Sequence, residues 1–508
     1  MEILSQETFK VCDNVVRISK DYDLNNKRIE IPRDIIIDLS HGSLNNGTII
    51  FKNNLLVNAE RHAINAKVEG IIANHTIKTS WFADINQVHL IYNCQTVVFD
   101  EDTTITTPIV VNGDNVTYDG NGHVFSCQSS FFIISGHSNI TIRNFNASAT
   151  TPTDKFFMNM TQSNIDMSHI NILNNHINNF QVGVSVSNEN SNHVASHCLI
   201  YDNYIENCKG TNSGQGYGIH LANAEFCNII NNHIENCDRH AIYNAYGKFN
   251  RISGNTIKDH RKDVSDTGSV LPALSIDRKS EHIIVDNNRF INNRNVSILL
   301  ICYSEGINNV DLTQAKYGNM VDITIRDNHF LEMTELEGTT IYPVIMVDYN
   351  AISPSSYTSL STVYNIIDVS IYGNKFEFLS TKLARAIRVY RCENLCITNN
   401  EFYFKNIQKL GITNFCFLLD IDPLYNTINK MYANISQNIF SSLVSTVGTA
   451  NMYCFCNMMN HQNSWYYITV CQNLFFRINE GSSSLYKLYY DQEYWPSALP
   501  SNLKLQLV

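Results

Sequence analysis

The chain has 508 residues and a formal net charge of −11, and charged residues make up only 16% of it, against about 25% in an ordinary globular protein. Because phosphate binding requires clustered lysines and arginines, this acidic balance argues against nucleic acid as a partner. No run approaches the roughly 18 apolar residues of a membrane-spanning helix, so we expect no membrane span.

The first part of the chain is expected to cap or begin a solenoid. Residues 48–51, 116–120 and 140–145 contain the alternating apolar side chains that are typical of short strands with one buried face. Because the terminal repeats of a solenoid need capping, we assign residues 1–100 to an N-terminal cap and the first coils. The first six residues lack the positive and apolar regions of a secretory signal peptide.

A six-residue motif, [Ile/Val]-x-x-Asn-x-[Ile/Phe], recurs through the rest of the chain at intervals of 23 to 46 residues. Its asparagines are Asn175, Asn203, Asn232, Asn255, Asn288, Asn328, Asn374, Asn400, Asn438 and Asn473. A strict motif with variable spacing indicates stacked coils joined by loops of different length. Regular amphipathic helices and hairpin signals are lacking, which disfavours helical repeats, propellers and sandwiches. The sequence therefore predicts an all-β fold, a single-stranded right-handed parallel β-helix over residues 101–480, with a C-terminal cap or oligomer contact over 481–508.

Each residue of the motif has an expected structural role. We place the asparagine at the bend of each coil, because Asn tolerates left-handed or bridge backbone angles better than other non-Gly residues. With coils about 4.8 Å apart, equivalent asparagines would stack in an amide ladder. The apolar residue two positions later faces the interior, and it changes from Ile to Phe after Ile257.

The fourteen cysteines lack the spacing of metal ligands, so we expect buried, reduced thiols and neither a metal nor a cofactor. Cys208 and Cys237 occupy the same position in consecutive repeats. Because neighbouring coils are close enough for a disulfide, a bond between these two cysteines remains an open alternative.

The motif also aligns the outward-facing residues of the strands that follow it. One outward column contains His220, Tyr243, Ser275, Met346, Arg388 and Asp420. The adjacent column contains Asp277, Asp348, Tyr390 and Asp422, with Arg278, Tyr349 and Arg391 at its edge. Carboxylates accept hydrogen bonds from sugar hydroxyls, tyrosine rings stack on sugars, and arginines bind acidic sugars. The columns therefore predict a surface for a long polar polymer.

Two kinds of catalysis fit these columns. Asp277 with Asp348, or Asp420 with Asp422, could supply the two carboxylates of a glycoside hydrolase, and their separation would decide between inversion and retention. Of these, Asp277 and Asp348 are the candidate catalytic residues. A lyase would instead remove a proton beside a uronate carboxylate, with Arg278 or Arg388 acting beside Tyr243 or His220. The candidates for substrate binding are His220, Tyr243, Arg278, Tyr349, Arg388, Tyr390, Arg391, Asp420 and Asp422. For any one of these residues alone, a solvated or packed outer face is the simpler interpretation.

The opening segment resembles a known family. Residues 31–49, IPRDIIIDLSHGSLNNGTI, and the later Ser80-Trp81-Phe82 are similar to the lead-in of pectate-lyase-like β-helix proteins from gut Bacteroidales and their phages. The resemblance covers about the first 85 residues in motif and the rest only in repeat style. It implies a right-handed β-helix and a phage tailspike or polysaccharide-active protein. The catalytic motifs of polygalacturonases and pectate lyases do not appear, so the resemblance identifies no catalytic residue.

Three functions are consistent with these observations. The leading hypothesis is a phage tailspike-like protein that binds host capsular or surface polysaccharide, with or without depolymerase activity. Such a protein would form a homotrimer, contact other tail proteins and belong to the virion. Without a phage origin, the missing signal peptide predicts the cytoplasm. The alternatives are a polysaccharide lyase or glycoside hydrolase, and a non-catalytic structural β-helix of a virion.

Overall fold

The computed structural model of the chain describes residues 2–3, 14–84, 95–160, 165–187, 193–261, 270–302, 318–332, 343–347, 365–378, 385–389, 392–404, 416–421, 430–442, 453–458, 465–477, 486–490 and 503–507. Within these ranges the only helical element is a single 3-10 turn, Thr79–Trp81. The chain divides into two compact units, Met1–Tyr204 and Ile205–Val508. In both units each coil contributes strands to three sheets. Within each coil, the strand before the motif asparagine belongs to the first sheet, the strand after it to the second sheet, and the following strand to the third sheet.

The first unit starts with a seven-stranded parallel sheet and continues into the coils. The seven strands are Glu2–Ile3, Val15–Arg17, Tyr22–Asp23, Arg28–Glu30, Ile36–Asp38, Leu44–Val57 and Ile64–Ile72. Its first sheet contains Thr76–Lys78, Thr96–Val98, Val116–Asp119, Ile140–Arg143, Ile170–Leu173 and Leu199–Tyr201. Its second sheet contains Thr103–Ile105, Val124–Cys127, Asn146–Ala149 and His176–Asn178, and its third contains Ile109–Val111, Phe132–Ile134, Phe156–Met160 and Val182–Ser187. Met167–Ser168 and Ala195–Ser196 form a further parallel pair.

The second unit repeats the same three-sheet coil. Its first sheet contains Asn228–Ile230, Arg251–Ser253, Glu281–Asp286, Met320–Arg326, Ile366–Tyr372, Asn394–Thr398, Lys430–Ser436, Trp465–Cys471 and Leu503–Leu507. Its second sheet contains His233–Glu235, Thr256–Lys258, Arg289–Ile291, His329–Glu332, Lys375–Phe378, Glu401–Phe404, Ile439–Ser442 and Leu474–Arg477. Its third sheet contains Tyr217–Ala222, His240–Ala245, Leu274–Asp277, Ile298–Ile301, Pro343–Val347, Arg385–Val389, Cys416–Ile421, Tyr453–Met458 and Tyr486–Tyr490. The strand Tyr204–Glu206 contains the boundary between the units, and Ala224–Glu225 is a short additional strand.

Parallel pairing of each strand with its equivalent in the next coil confirms the predicted parallel β-helix. In the first unit, for example, Val116–Asp119 pairs residue for residue with Ile140–Arg143. The three strands expected upstream of the motif are present, the earliest of them within Leu44–Val57. A parallel strand reached through a crossover is almost always right-handed, which agrees with the expected hand. The proposed division at residues 100 and 480 stays a prediction.

The motif asparagines stack in the expected ladder. The side-chain amide of Asn288 donates to Oδ1 of Asn328 at 2.9 Å and to the carbonyl oxygen of Ile252 at 2.8 Å. Its own Oδ1 accepts hydrogen bonds from the backbone and side-chain nitrogens of Asn255, both at 2.9 Å. Asn175 and Asn203 are joined in the same way within the first unit. Each asparagine thereby satisfies buried polar groups of its own coil and of the preceding one.

Of the two backbone conformations expected for the motif asparagine, the left-handed one is wrong. The residue immediately before it takes that conformation, with φ between 52° and 68°: Asn174, Asp202, Asn231, Gly254, Asn287, Asp327, Gly373, Asn399, Gln437 and Gln472. The two positions have different tasks. The turn residue is usually solvent-exposed and drawn from the types that tolerate positive φ, whereas Asn288 is fully buried and its side chain is held by hydrogen bonds.

Interior columns form beneath the ladder, as the sequence predicts. Phe290, Phe330, Phe376 and Phe402 stack with ring centroids 4.9, 4.8 and 4.7 Å apart. The side chains of Phe440 and Phe475 lie outside the described part of the structure. Cys208 and Cys237 are free, buried thiols and form no disulfide. The adjacent Cys208 thiol, together with burial, raises the pKa of Cys237 well above its usual value.

Replacing Asn288 with alanine is expected to lower the free energy of unfolding by about 2–4 kcal/mol, because buried donors and acceptors on both sides lose their partners. Urea denaturation of the purified protein measures this change. The matched control is Asn228→Ala, at a half-buried strand position, for which we expect a loss below about 1 kcal/mol. Equal losses in the two variants would contradict a special role for the ladder.

Candidate functional site

The register of the third sheet places the first outward column of residues in one row. His220 lies opposite Tyr243, and Tyr243 lies opposite Ser275. At the other end of the row, Met346 lies opposite Arg388, and Arg388 lies opposite Asp420. All six residues of that column therefore occupy equivalent positions on successive strands, with one further member, Leu299, between Ser275 and Met346.

This row is not a continuous polar surface, contrary to the stripe that the sequence suggested. Leu299 and Met346 are each only 3% exposed, and they pack with Val296 and Ile301 in a buried apolar cluster that also contacts Val270. Burial of two large apolar side chains in the middle of the row separates Arg388 from the polar groups near Tyr243. The sequence alternation identified the outward positions but not the apolar packing that buries two of them.

Four aromatic residues pack together at the start of the third sheet in the second unit. The rings of Tyr217 and Tyr243 are nearly parallel, with centroids 5.4 Å apart. His220 lies 5.3 Å from Tyr217 and 5.4 Å from Tyr243. His240 lies 5.1 Å from Tyr217 and 5.4 Å from Tyr243. Tyr217 and His240 are buried, whereas His220 and Tyr243 are partly exposed.

A buried carboxylate completes this group. Tyr243 donates its hydroxyl hydrogen to Oδ2 of Asp277 at 2.6 Å, a length typical of a charge-assisted hydrogen bond. Asp277 is only 3% exposed and is therefore not the solvated outward carboxylate that the sequence suggested. Together, Tyr217, His220, His240, Tyr243 and Asp277 are called the third-sheet cluster below.

Two arginines border the third-sheet cluster. The guanidinium of Arg239 donates to the hydroxyl oxygen of Tyr217 at 3.2 Å and to the carbonyl oxygen of Thr211 at 2.8 Å. The guanidinium of Arg278 donates to the hydroxyl oxygen of Tyr246 and lies 4.9 Å from the centre of its ring. Both guanidiniums are partly exposed, so they supply hydrogen-bond donors and positive charge beside the cluster.

Buried neutral histidines anchor the segment that lies beside the cluster. Nδ1 of His240 is 2.7 Å from the carbonyl oxygen of Pro272, and Nε2 of His260 is 2.9 Å from that of Leu271. Since a carbonyl oxygen can only accept, each of these nitrogens carries the ring hydrogen. Burial lowers the pKa of His240 well below its usual value and lowers the pKa of His260 to about 3. Both rings are therefore neutral at physiological pH.

The other predicted site residues are less informative. Asp348, Tyr349, Tyr390, Arg391 and Asp422 lie outside the described residues. Asp420 lies in the strand Cys416–Ile421, but its side chain is also outside the described part. The strand Ile298–Ile301 separates the strand that ends at Asp277 from Pro343–Val347. Asp277 therefore does not lie on a strand adjacent to the one that precedes Asp348.

Sequence reasoning missed Tyr217, Arg239, His240 and Tyr246. Tyr217 and His240 lie opposite each other on adjacent strands. Tyr217 precedes His220 by three positions and His240 precedes Tyr243 by three, and this repeated aromatic position was the signal that could have identified them. Within the described ranges no group of His, Cys, Asp or Glu side chains has the arrangement of a metal site. No described helix has the length and hydropathy needed to cross a membrane.

Stability is expected to fall as the pH decreases below about 6.5. The unfolded chain binds protons at His240 and His260 with an ordinary pKa near 6.5, whereas the folded protein keeps both neutral until much lower pH. As the pH decreases below 6.5, each histidine therefore lowers the free energy of unfolding by up to about 1.4 kcal/mol per pH unit. For His260 this loss continues to about pH 3. Urea denaturation between pH 7 and pH 4 tests this, and His260→Gln should flatten the profile. The control Asn228→Ala, which removes no titratable group, should leave the shape of the profile unchanged. A profile unaltered in His260→Gln would refute the assignment.

Comparisons with known proteins agree with this architecture. Residues 166–318 match the model of a family described as the right handed beta helix region. Among curated proteins, none matches the sequence.

Several solved structures are similar at low identity. An alginate lyase from Paenibacillus sp. str. FPU-7 shares 12% identity over 78% of this chain and 92% of that one, with a TM-score of 0.26. PfbA, a surface adhesin of Streptococcus pneumoniae, shares 10% identity over 84% and 82%, with a TM-score of 0.35. A mutant tailspike protein of E. coli bacteriophage HK620 shares 10% identity over 91% and 71%, with a TM-score of 0.32.

Because these identities are at most 12% and the TM-scores are below 0.5, the similarities carry no argument about what this chain does. The architecture rests on the strand pairing and on the family match. Both agree with the fold that the resemblance to pectate-lyase-like proteins implied. The chain is a right-handed parallel β-helix protein.

Proposed function

We propose that the protein binds a polysaccharide through the third-sheet cluster, as a phage tailspike-like protein binds host capsular or surface glycan. The observation that carries the proposal is the hydrogen bond from Tyr243 to the buried carboxylate of Asp277. Because the hydroxyl hydrogen is committed to Asp277, the phenolic oxygen is left as an acceptor. A hydroxyl-rich ligand is a suitable donor to such an oxygen.

The groups around Tyr243 complement that acceptor. His220 is partly exposed and packs against the rings of Tyr217 and Tyr243, so its imidazole is held in place beside a ligand. Arg239 and Arg278 supply donors for ring oxygens, hydroxyls or an acidic substituent. Pre-positioned side chains lose little conformational entropy on binding, which favours recognition of a weakly interacting polar polymer.

A polysaccharide lyase is the second candidate function, and the composition of the cluster favours it over a hydrolase. The third-sheet cluster contains one carboxylate, that of Asp277, whereas glycoside hydrolysis ordinarily requires two facing carboxylates. His220 would take the proton beside a uronate carboxylate, or Tyr243 would take it while passing its own hydroxyl proton to Asp277. Arg278 or Arg239 would neutralise the uronate carboxylate. For hydrolysis, the alternative, the candidate catalytic pair is still Asp277 and Asp348.

The setting of this function is also a proposal. A tailspike would be a homotrimer in the virion and would contact other tail proteins, and a parallel solenoid suits three-fold assembly. A non-catalytic structural β-helix of a virion remains the third possibility. Light scattering coupled to size-exclusion chromatography tests the assembly, since a trimer has three times the chain mass of 57.8 kDa. A monomer at micromolar concentration would contradict the trimer.

Binding through the third-sheet cluster is tested by substitution of Tyr243 and His220. We expect Tyr243→Phe and His220→Ala to weaken binding about tenfold, because each removes one hydrogen bond in a partly desolvated site. Isothermal titration with maltohexaose, chitohexaose, oligogalacturonate and purified bacterial capsular polysaccharide measures the change. Tyr204→Phe, an exposed tyrosine in the first unit, is the matched control. Unchanged affinity in both cluster variants would reject this site, and no binding to any probe would favour the structural interpretation.

Lyase activity predicts release of unsaturated uronate from oligogalacturonate or capsular polysaccharide, detected by its ultraviolet absorbance. Tyr243→Phe is expected to abolish this product if Tyr243 is the base, while His220→Ala separates the role of the imidazole. Release of reducing ends without unsaturation would instead indicate hydrolysis. Binding without either product would leave a glycan-binding protein.

A further inference from the structure

A second concave surface lies on the outer face of the first sheet in the second unit. It is a groove of about 450 Å³, within the range of small-molecule binding sites. Four successive strands form its floor: Ile366–Tyr372, Asn394–Thr398, Lys430–Ser436 and Trp465–Cys471. None of the residues of the third-sheet cluster lines it.

The floor of the groove is a row of short polar side chains. Ser370, Cys396, Asn434 and Thr469 occupy equivalent positions on the four strands. Successive members are separated by the distance between paired strands, about 4.8 Å. That spacing is close to the length of one pyranose ring, so consecutive sugar residues of an oligosaccharide would each meet one side chain of the row.

One edge of the groove carries an aromatic ring and a carboxylate. Tyr432 is 43% exposed, unlike the buried aromatic side chains of the interior. Asn394 donates a hydrogen bond to Oδ1 of Asp368 at 2.6 Å, which orients the carboxylate at the groove wall. Asp368 has a left-handed backbone with φ of 58°, and His282 and Asp322 at the equivalent positions of the preceding strands are left-handed too, so this conformation is a recurrent bend of the coil. An exposed ring beside hydroxyl, amide and carboxylate groups is a composition suited to sugars.

The charge of the groove selects among sugars. Its described lining contains the carboxylate of Asp368 and no lysine or arginine. The arginines on the same sheet are engaged elsewhere, since Arg251 and Arg326 both contact the buried carboxylate of Asp286, at 2.7 and 3.5 Å. Among the described lining residues nothing offsets the repulsion between Asp368 and an acidic sugar, while a neutral sugar would donate hydroxyl hydrogens to the carboxylate.

From these contacts we infer that the first-sheet groove between Asp368 and Thr469 is a second saccharide-binding site, specific for neutral oligosaccharides. A sugar ring stacks on Tyr432, adjacent hydroxyls donate to Asp368, and the next residues of the chain bond to the Ser370 to Thr469 row. The site lies on a different sheet from the third-sheet cluster and does not depend on the function proposed for it.

Titration calorimetry with maltohexaose and chitohexaose as neutral probes, and oligogalacturonate as the acidic one, tests the inference. Tyr432→Ala is expected to weaken binding of at least one neutral probe about tenfold, because the stacking surface is lost. Asp368→Asn keeps the size of the side chain and tests the carboxylate. We expect it to lower the affinity for the neutral probe by less than Tyr432→Ala does, and not to lower the affinity for the acidic probe. Since Tyr432 is exposed, neither variant should change the unfolding midpoint.

Matched variants separate this site from the third-sheet cluster. Tyr201→Ala removes a similarly exposed tyrosine of the first unit and should leave the affinity unchanged. If Tyr243→Phe weakens binding and Tyr432→Ala does not, the groove is rejected and the third-sheet site stands. The reverse result supports the groove and rejects the third-sheet site. If Tyr432→Ala abolishes binding of oligogalacturonate, the specificity for neutral sugars is wrong. If the protein binds none of the neutral probes, the groove is not a saccharide site.

Discussion

The buried asparagine ladder is the interaction on which the other features of this β-helix depend. Every coil must turn after its first strand, and the turn brings backbone N–H and C=O groups into the interior. The amide oxygen of one asparagine accepts from the backbone and side chain of the preceding one, and its nitrogen donates to a carbonyl oxygen of the preceding coil. An aspartate could not donate, and a column of aspartates would repel itself. A side-chain amide fits because its oxygen accepts hydrogen bonds and its nitrogen donates them.

Because the ladder sets the register of each coil against the next, it also sets which side chains share a row. A slip by one residue would move every apolar side chain of a strand to the outer face. The Phe290 to Phe402 stack and the row that begins at His220 are both consequences of this constraint. Loops between the strands do not enter the register, which explains how the coils differ so much in length.

Whether an outward-facing residue can contact a ligand depends on its burial, and not only on the row in which it lies. On the third sheet, part of the row is covered by apolar packing around Leu299 and Met346, and Asp277 is buried under Tyr243. On the first sheet the row from Ser370 to Thr469 remains open as a groove. The groove offers hydroxyl, amide and aromatic groups, and the third-sheet cluster offers aromatic rings and a tyrosine hydroxyl beside Asp277, Arg239 and Arg278. This chemistry suits sugars better than phosphates in an acidic protein.

The amino-acid sequence by itself determined the parallel β-helix, the asparagine ladder, the aromatic interior column and the rows of outward residues, because all of these follow from local periodicity. It placed the left-handed turn one residue too late, since Asn suits both the turn and the ladder. Only the tertiary structure decided that Tyr243 meets Asp277, that Leu299 and Met346 interrupt the row, and that Tyr432 borders a groove. These features depend on the exact stacking of residues that are tens of positions apart and on the segments that cover them, which periodicity does not encode.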